Sequence, residues 1–236
     1  QGLVKGVKYK DFKYLGDPVN AIKIFNDKEV DELFFFDIDA SKENRCISFD
    51  LVRTLSEECF MPFGVGGGIT DVDQVRQLLR FGAEKVCINT SSILDKNIIK
   101  KISQEFGSQS LVVSIDIGKN FFGKRKISTH NGSKFHNINI YDWATEIEKL
   151  GAGEILVNCI YNDGKMKGYD LNVISRISDI VKIPVIASCG AGNLDHINRL
   201  FSKTNASAAA CGSLFVFHGP RRAVLISYPS KEEFIT

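Results

Sequence analysis

The sequence predicts an α/β fold of the (β/α)8 or TIM-barrel class: one domain over 1–236, built from two half-barrels of about 1–115 and 116–236, with its first strand truncated in this chain. Three observations carry this. Short apolar runs without period-2 alternation, as in parallel strands covered on both faces, alternate with amphipathic segments. Two stretches echo each other at an offset of 122 positions: Met61–Asp71 is answered by Ile183–Asn193, with Pro62 matched by Pro184, and Glu32–Ile38 is answered by Glu154–Ile160. Finally, 236 residues with 44% hydrophobic and 25% charged side chains suffice for a full-sized core in one barrel.

The elements follow in order. Gln1–Val7 lacks Met and reads as the second half of a strand hairpin, so a preceding segment is expected, and Leu3–Val4 is counted as the truncated first barrel strand. Asp17-Pro18 supplies an N-cap and a Pro at the first helical position, and the helix presents Val19, Ile22 and Ile24. The apolar runs at 32–38, 63–66, 85–88, 111–116, 154–158, 185–187 and 207–211 complete eight strands. After the run at 63–66, Thr70 and Asp73 resemble a capping box, Val72, Val75, Leu78 and Leu79 share a face, and Gly82 ends the helix. Residues 121–136, with the His130-Asn131-Gly132 turn, read as a hairpin inserted after the strand at 111–116. Trp143, Ile147 and Leu150 repeat the helical pattern before Gly151.

Composition excludes several classes of function. The net charge is +2, and the cations are interleaved with acids rather than gathered in one block, so no nucleic-acid footprint is expected. The six cysteines form no CxxC pair and have no His at metal-ligand spacing; they read as structural thiols of a cytoplasmic protein with no metal and no other cofactor. No apolar run approaches the roughly 20 residues needed to cross a bilayer, and no signal sequence opens the chain, so no membrane partner is expected. His130, His136, His196 and His218 are scattered and read as surface or loop residues.

In a barrel of this class the chemistry gathers where strands end. Asp37 with Asp39, Asp116 and Asp163 follow three of the runs. Any one of them alone reads as a loop cap; four on one rim read as a site. Gly67 and Gly68 with Asn89 and Thr90 are candidates for one phosphate pocket, and Ser188, Gly190 and Gly192 with Gly212 and Ser213 for a second. A phosphorylated small molecule with two phosphates is the ligand class this duplication suggests. The plainer alternative is a set of tight turns that need Gly only for positive φ.

Several ordered motifs point the same way: Leu3-Val4-Lys5-Gly6, Gly16-Asp17-Pro18-Val19, Phe36-Asp37-Ile38, Val65-Gly66-Gly67-Gly68-Ile69, Ile88-Asn89-Thr90, Gly151-Ala152-Gly153-Glu154-Ile155 and Gly168-Tyr169-Asp170. Along nearly its whole length the chain resembles the cyclase subunit of imidazole glycerol phosphate synthase. The resemblance implies an ammonia-dependent lyase of histidine biosynthesis acting on a two-phosphate ribulosyl intermediate. Its products would be imidazole glycerol phosphate and an aminoimidazole carboxamide ribotide. Asp116 matches one of two catalytic aspartates, the other falling before Gln1, and Lys5 matches a flexible-loop lysine beside the substrate. Asp37, Asp163 and Gly164 match the polar rim, and the Gly and Ser residues above match the phosphate sites. At the opposite end, Glu32, Lys85 and Glu154 match a gate that admits ammonia from a glutaminase subunit docked as a heterodimer on the N-terminal face.

The chain also departs from the family pattern. Asp39, Asn158, Tyr161 and Lys165 replace small or differently charged residues of the active face, Cys189 stands where Gly is common, and the tail from Phe217 to Ile226 differs from the family's charged terminal helix. These changes resemble divergent paralogues of surface-polysaccharide loci that channel ammonia for sugar amidation. A noncatalytic conduit that activates the glutaminase is the third alternative.

Overall fold

The computed structural model describes residues 2–234. The chain opens with an antiparallel pair, β1 (Leu3–Val7) and β2 (Lys10–Gly16). Helix α1 (Pro18–Asp27) leads to β3 (Leu33–Phe36), α2 (Phe49–Glu58), β4 (Phe63–Gly66), α3 (Val72–Arg80), β5 (Lys85–Ile88), α4 (Thr90–Leu94) and α5 (Asn97–Phe106). Next come β6 (Leu111–Lys119), β7 (Arg125–Thr129), β8 (Lys134–His136) and α6 (Ile140–Leu150). The remainder is β9 (Glu154–Cys159), α7 (Leu171–Ile180), β10 (Val185–Ser188), α8 (Leu194–Lys203), β11 (Ala208–Ala210), α9 (Ser213–Val216) and a short pair, β12 (Phe217–His218) with β13 (Ala223–Val224). Seven strands run parallel in the order β11-β10-β9-β6-β5-β4-β3, the curled sheet of an α/β barrel.

Both faces of this sheet are covered, which is why its strands read as continuous apolar runs. On the outer face Val65, Val86, Val113, Ile115, Ile155 and Val157 pack against Leu55, Leu78, Ile102, Ile147 and Ile177 of the helices. On the inner face Cys87, Val112, Leu156 and Ile186 form a second cluster with Phe34, Ala208 and Ala210. None of the helices described is long and apolar enough to cross a membrane, and all six cysteines are free.

The 122-residue repeat extends to the helix caps. Asp17 caps α1 through Asn20 N and Asn139 caps α6 through Tyr141 N; Ser48 caps α2 and Asp170 caps α7; Asp71 caps α3 and Asn193 caps α8. Each pair lies 122 positions apart, so the punctuation that starts each helix is duplicated along with its apolar face.

Four expectations need correction. Leu3–Val4 is not a barrel strand: it begins β1, the first half of an antiparallel hairpin rather than the second, lying outside the main sheet. Its polar-interleaved sequence leaves Val4, Phe12 and Tyr14 exposed, which a strand buried on both faces does not tolerate. Moving β1 and β2 on by 122 lands on β7 and β8, so this hairpin is the counterpart of the one inserted after β6. Next, α1 buries Ala21, Ile22 and Phe25 while Ile24 faces outward, because two residues along a helix is about 200° of rotation. The α3 cap is Asp71, which accepts from Gln74 N at 2.8 Å while Gln74 Oε1 accepts from Thr70 N at 2.8 Å. Thr70 and Asp73 do not form the box. Lastly, β6 runs on to Lys119 because β7 pairs with its end.

Asp71→Ala is expected to lower the unfolding free energy by about 1 kcal/mol, and Asp73→Ala by no more than about 0.5 kcal/mol, in urea titrations.

Candidate active site

A cavity of about 920 Å³ runs along the inner face of the sheet, from Glu32 and Leu33 at the strand starts to Asp116, Ser188 and the repeated loops at the strand ends. Asp116, near the end of the barrel portion of β6, is 7% exposed. It accepts from Ser114 Oγ at 2.7 Å and from Asn158 Nδ2 at 3.1 Å. Burial raises its pKa despite these bonds, because removing a carboxylate from water disfavours its charged form. Asp163, following β9, is buried and accepts from Lys5 Nζ at 2.5 Å and from Tyr9 N at 3.4 Å, while its carbonyl accepts from Lys8 N at 3.1 Å. One carboxylate thus docks the β1–β2 hairpin over the barrel mouth.

Asn158 links the two aspartates. Its Nδ2 donates to Asp116 and to the Tyr9 hydroxyl, and its Oδ1 accepts from the Cys189 thiol at 2.8 Å. Burial, with Asp116 nearby, raises the Tyr9 pKa, and burial with Asp163 nearby raises that of Cys189, so both stay protonated at neutral pH. Asp37 has a different position: it pairs with Arg45 at 2.5 Å and caps the backbone N–H groups of Asp39 and Ala40 at 3.2 Å. Asp39 is exposed and does not line the cavity, so three acids rather than four gather at the rim.

The repeated loops line the same cavity, and their glycines answer to packing as well as to φ. A Cβ on Gly68 would lie 1.8 Å from the Arg45 carbonyl oxygen, and one on Gly190, at φ +127°, would lie 2.2 Å from that of Gly168. Gly67, Asn89, Thr90, Gly164, Ser188, Gly212 and Ser213 all line the cavity; Gly192 does not. Asn89 Nδ2 donates to Ser128 O at 3.3 Å, and Thr90 Oγ1 accepts from His130 N at 3.3 Å. Ser91 Oγ and Ser213 Oγ, another pair 122 apart, are buried without protein partners and belong to cavity-lining residues. Buried hydroxyls left unpaired by protein, next to backbone N–H groups at helix starts, are suited to an anion.

At the other end of the sheet Lys85 begins β5, Glu154 begins β9, and Glu32 immediately precedes β3. Lys85 Nζ donates to Glu154 Oε1 at 2.7 Å and lies 2.8 Å from Glu32 Oε1 without the alignment of a hydrogen bond. Burial pulls the Lys85 pKa down, but the two carboxylates outweigh it and the net shift is upward. The three side chains form a charged layer across the strand starts.

Tyr9, Ser91, Ser114 and Arg45 were not candidates in the sequence. Ser91 was legible as the repeat partner of Ser213. The others depend on contacts between distant segments. Among the described residues no cluster of His, Cys, Asp and Glu is arranged to hold a metal ion.

Parallel strands with covering helices, and a buried carboxylate lining one cavity with two repeated glycine loops, define an α/β barrel with a candidate active site. The chain belongs to the histidine biosynthesis protein family, which matches residues 2–220. It is 48% identical over 229 residues to a Pseudomonas aeruginosa protein, covering 97% of this chain and 91% of the relative, and 44% identical over 234 residues to one from Vibrio vulnificus, covering 99% and 90%. Both carry the name "Putative imidazole glycerol phosphate synthase subunit", as hisF2 and hisF3. The imidazole glycerol phosphate synthase subunit HisF of Alkaliphilus metalliredigens is 41% identical over 216 residues, covering 92% and 86%. None of these names refers to surface polysaccharide, and that alternative is not favoured.

Gly190→Ala is expected to cost about 3 kcal/mol or more, because it adds a carbonyl clash to an unfavourable φ. Gly219→Ala, at φ +68° with nothing within 4 Å of the new Cβ, is expected to cost only about 1 kcal/mol. Paired thermal unfolding curves check the difference.

Proposed function

We propose that this chain is the cyclase subunit of an imidazole glycerol phosphate synthase, a lyase of histidine biosynthesis that uses ammonia on a two-phosphate ribulosyl intermediate. The observation that carries the reading is the placement of buried Asp116 in one cavity with both repeated loops, in a chain closely similar to proteins of that name. Two loops suit two phosphates, and a buried carboxyl whose proton affinity is raised above the ordinary aspartate range suits acid–base work.

In this reading the loop around Gly67 and Gly68, with Asn89, Thr90 and the free Ser91 hydroxyl, holds one phosphate. Gly164, Ser188, Gly190, Gly212 and Ser213 hold the other. Asp116 exchanges protons with the reacting nitrogen and carbon centres as ammonia adds, the carbon–nitrogen bond breaks and the imidazole ring closes. Ser114 and Asn158 fix the orientation of that carboxyl. Lys5, held by Asp163, places an ammonium beside the substrate, and the hairpin that carries it excludes water. Asp37 acts through Arg45 to hold the loop behind the first phosphate site.

The Glu32–Lys85–Glu154 layer is the entry for ammonia, and a glutaminase subunit covers that face as a heterodimer in the cytoplasm. Lys85 contacts both carboxylates at once, and a neutral NH3 passes when these contacts open.

Asp116→Asn is expected to reduce ammonium-dependent turnover of the histidine-pathway intermediate by about 10²- to 10⁴-fold. It is also expected to raise stability at neutral pH. Because the folded state holds the Asp116 proton more tightly than the unfolded chain, wild-type stability falls relative to the variant as pH rises from the ordinary aspartate range through the raised value. Absence of turnover by wild-type protein with excess ammonium salt would sink the cyclase reading. Stimulation of the glutaminase alone would then favour the conduit. With the cognate glutaminase present, Glu154→Ala and Lys85→Ala are expected to lose glutamine-driven turnover while keeping ammonium-driven turnover. If both remain coupled, the gate assignment fails.

A further inference from the structure

One side of the barrel mouth is far more basic than the chain as a whole. Segments 5–13, 119–126 and 161–170 contain ten Lys and Arg residues against three Asp, an excess of seven where the entire chain has an excess of two. Folding brings these segments together. Lys8 N bonds to Asp163 O, Lys119 Nζ stands 4.5 Å from the centre of the Tyr161 ring, and Tyr161 and Arg125 both bond to Asp170.

Two of the three acids are already engaged, Asp163 by Lys5 and Asp170 by Arg125, and Asp11 stands exposed on β2. Among the described residues Lys8, Lys119, Lys165 and Lys167 have no carboxylate partner. Lys165 is half-buried in their midst, and burial followed by the charges of Lys8, Lys119 and Lys167 lowers its pKa. Like charges held together without a counter-ion destabilise the protein, and an arriving anion relieves that repulsion. Arg222, whose guanidinium donates to Gly164 O, adds a fifth cation at the edge of the same loop.

We infer that Lys8, Lys119, Lys165 and Lys167 form an entrance site for phosphate groups, which captures a multiply phosphorylated ligand before it settles into the repeated loops. The site lies outside those loops: among the four lysines none lines the central cavity. It joins them directly, because Lys165 follows Gly164 and Lys8 lies one turn of hairpin beyond Lys5. Its identity as a substrate entrance rests on the cyclase reading; its affinity for polyphosphate does not.

The test compares wild type, Lys165→Gln/Lys167→Gln, and Lys100→Gln/Lys101→Gln, an exposed pair on α5 that serves as control. Inorganic pyrophosphate is titrated calorimetrically at low salt, and kcat/KM for the histidine-pathway intermediate with ammonium is followed against ionic strength. The first pair is expected to weaken pyrophosphate binding about tenfold and to lower kcat/KM by a similar factor at low salt with a flatter salt dependence, while the control follows wild type. Equal pyrophosphate affinity and an equal salt slope in all three proteins would overturn the entrance site. Weakened pyrophosphate binding in a protein that turns over nothing upholds the anion site and overturns the cyclase reading instead.

Discussion

Parallel strand pairing governs where chemistry is possible in this molecule. Each interior strand satisfies its main-chain groups through neighbours on both sides, and both faces of the sheet are covered, so polar side chains gather near strand starts and ends or, like Ser114 and Asp116, are buried with hydrogen-bond partners. Because seven strands share one direction, their ends collect on one rim and their starts on the other. Asp116, Asn158 and Ser188 stand at the first rim, and Lys85 and Glu154 at the second. The separation of the two polar groups follows from this geometry.

The two half-sites are supported differently although their backbones repeat. The first loop is braced by the segment after β3, where Arg45 pairs with Asp37 and its carbonyl lies close over Gly68. The second is braced by the β1–β2 hairpin, through Asp163, and by the 166–168 backbone. Cys189 extends this second support. It occupies φ +71°, a conformation that costs a side chain energy, and its buried thiol donates to Asn158. Tyr9, Asn158 and Cys189 therefore connect the hairpin and the second loop to Asp116.

Much of the architecture was legible because it is written locally. Apolar runs at 63–66, 85–88, 111–116 and 154–158 became parallel strands, and the 122-residue echo between Pro62 and Pro184 reappeared as matched caps, loops and unpaired serine hydroxyls. Leu3–Val4 was misread because apolar content alone does not distinguish a barrel strand from one side of an exposed hairpin. The same offset that revealed the barrel would have assigned it, since β1 and β2 map onto β7 and β8. Asp39 was misread because spacing places a residue near a strand end without saying which way it faces.

The sequence by itself determined the repeat, the order of strands and helices, the positions of the two glycine loops and the candidate ion layer at Glu32, Lys85 and Glu154, since periodicity, turn residues and end charges are short-range properties. Only the tertiary structure decided that Asp37 is committed to Arg45, that Asp163 anchors a hairpin more than 150 residues away, and that Asn158 joins Asp116 to Tyr9 and Cys189. Those contacts depend on which distant backbones meet at the rim. Hydrogen bonding and desolvation then assign different roles to chemically identical carboxylates.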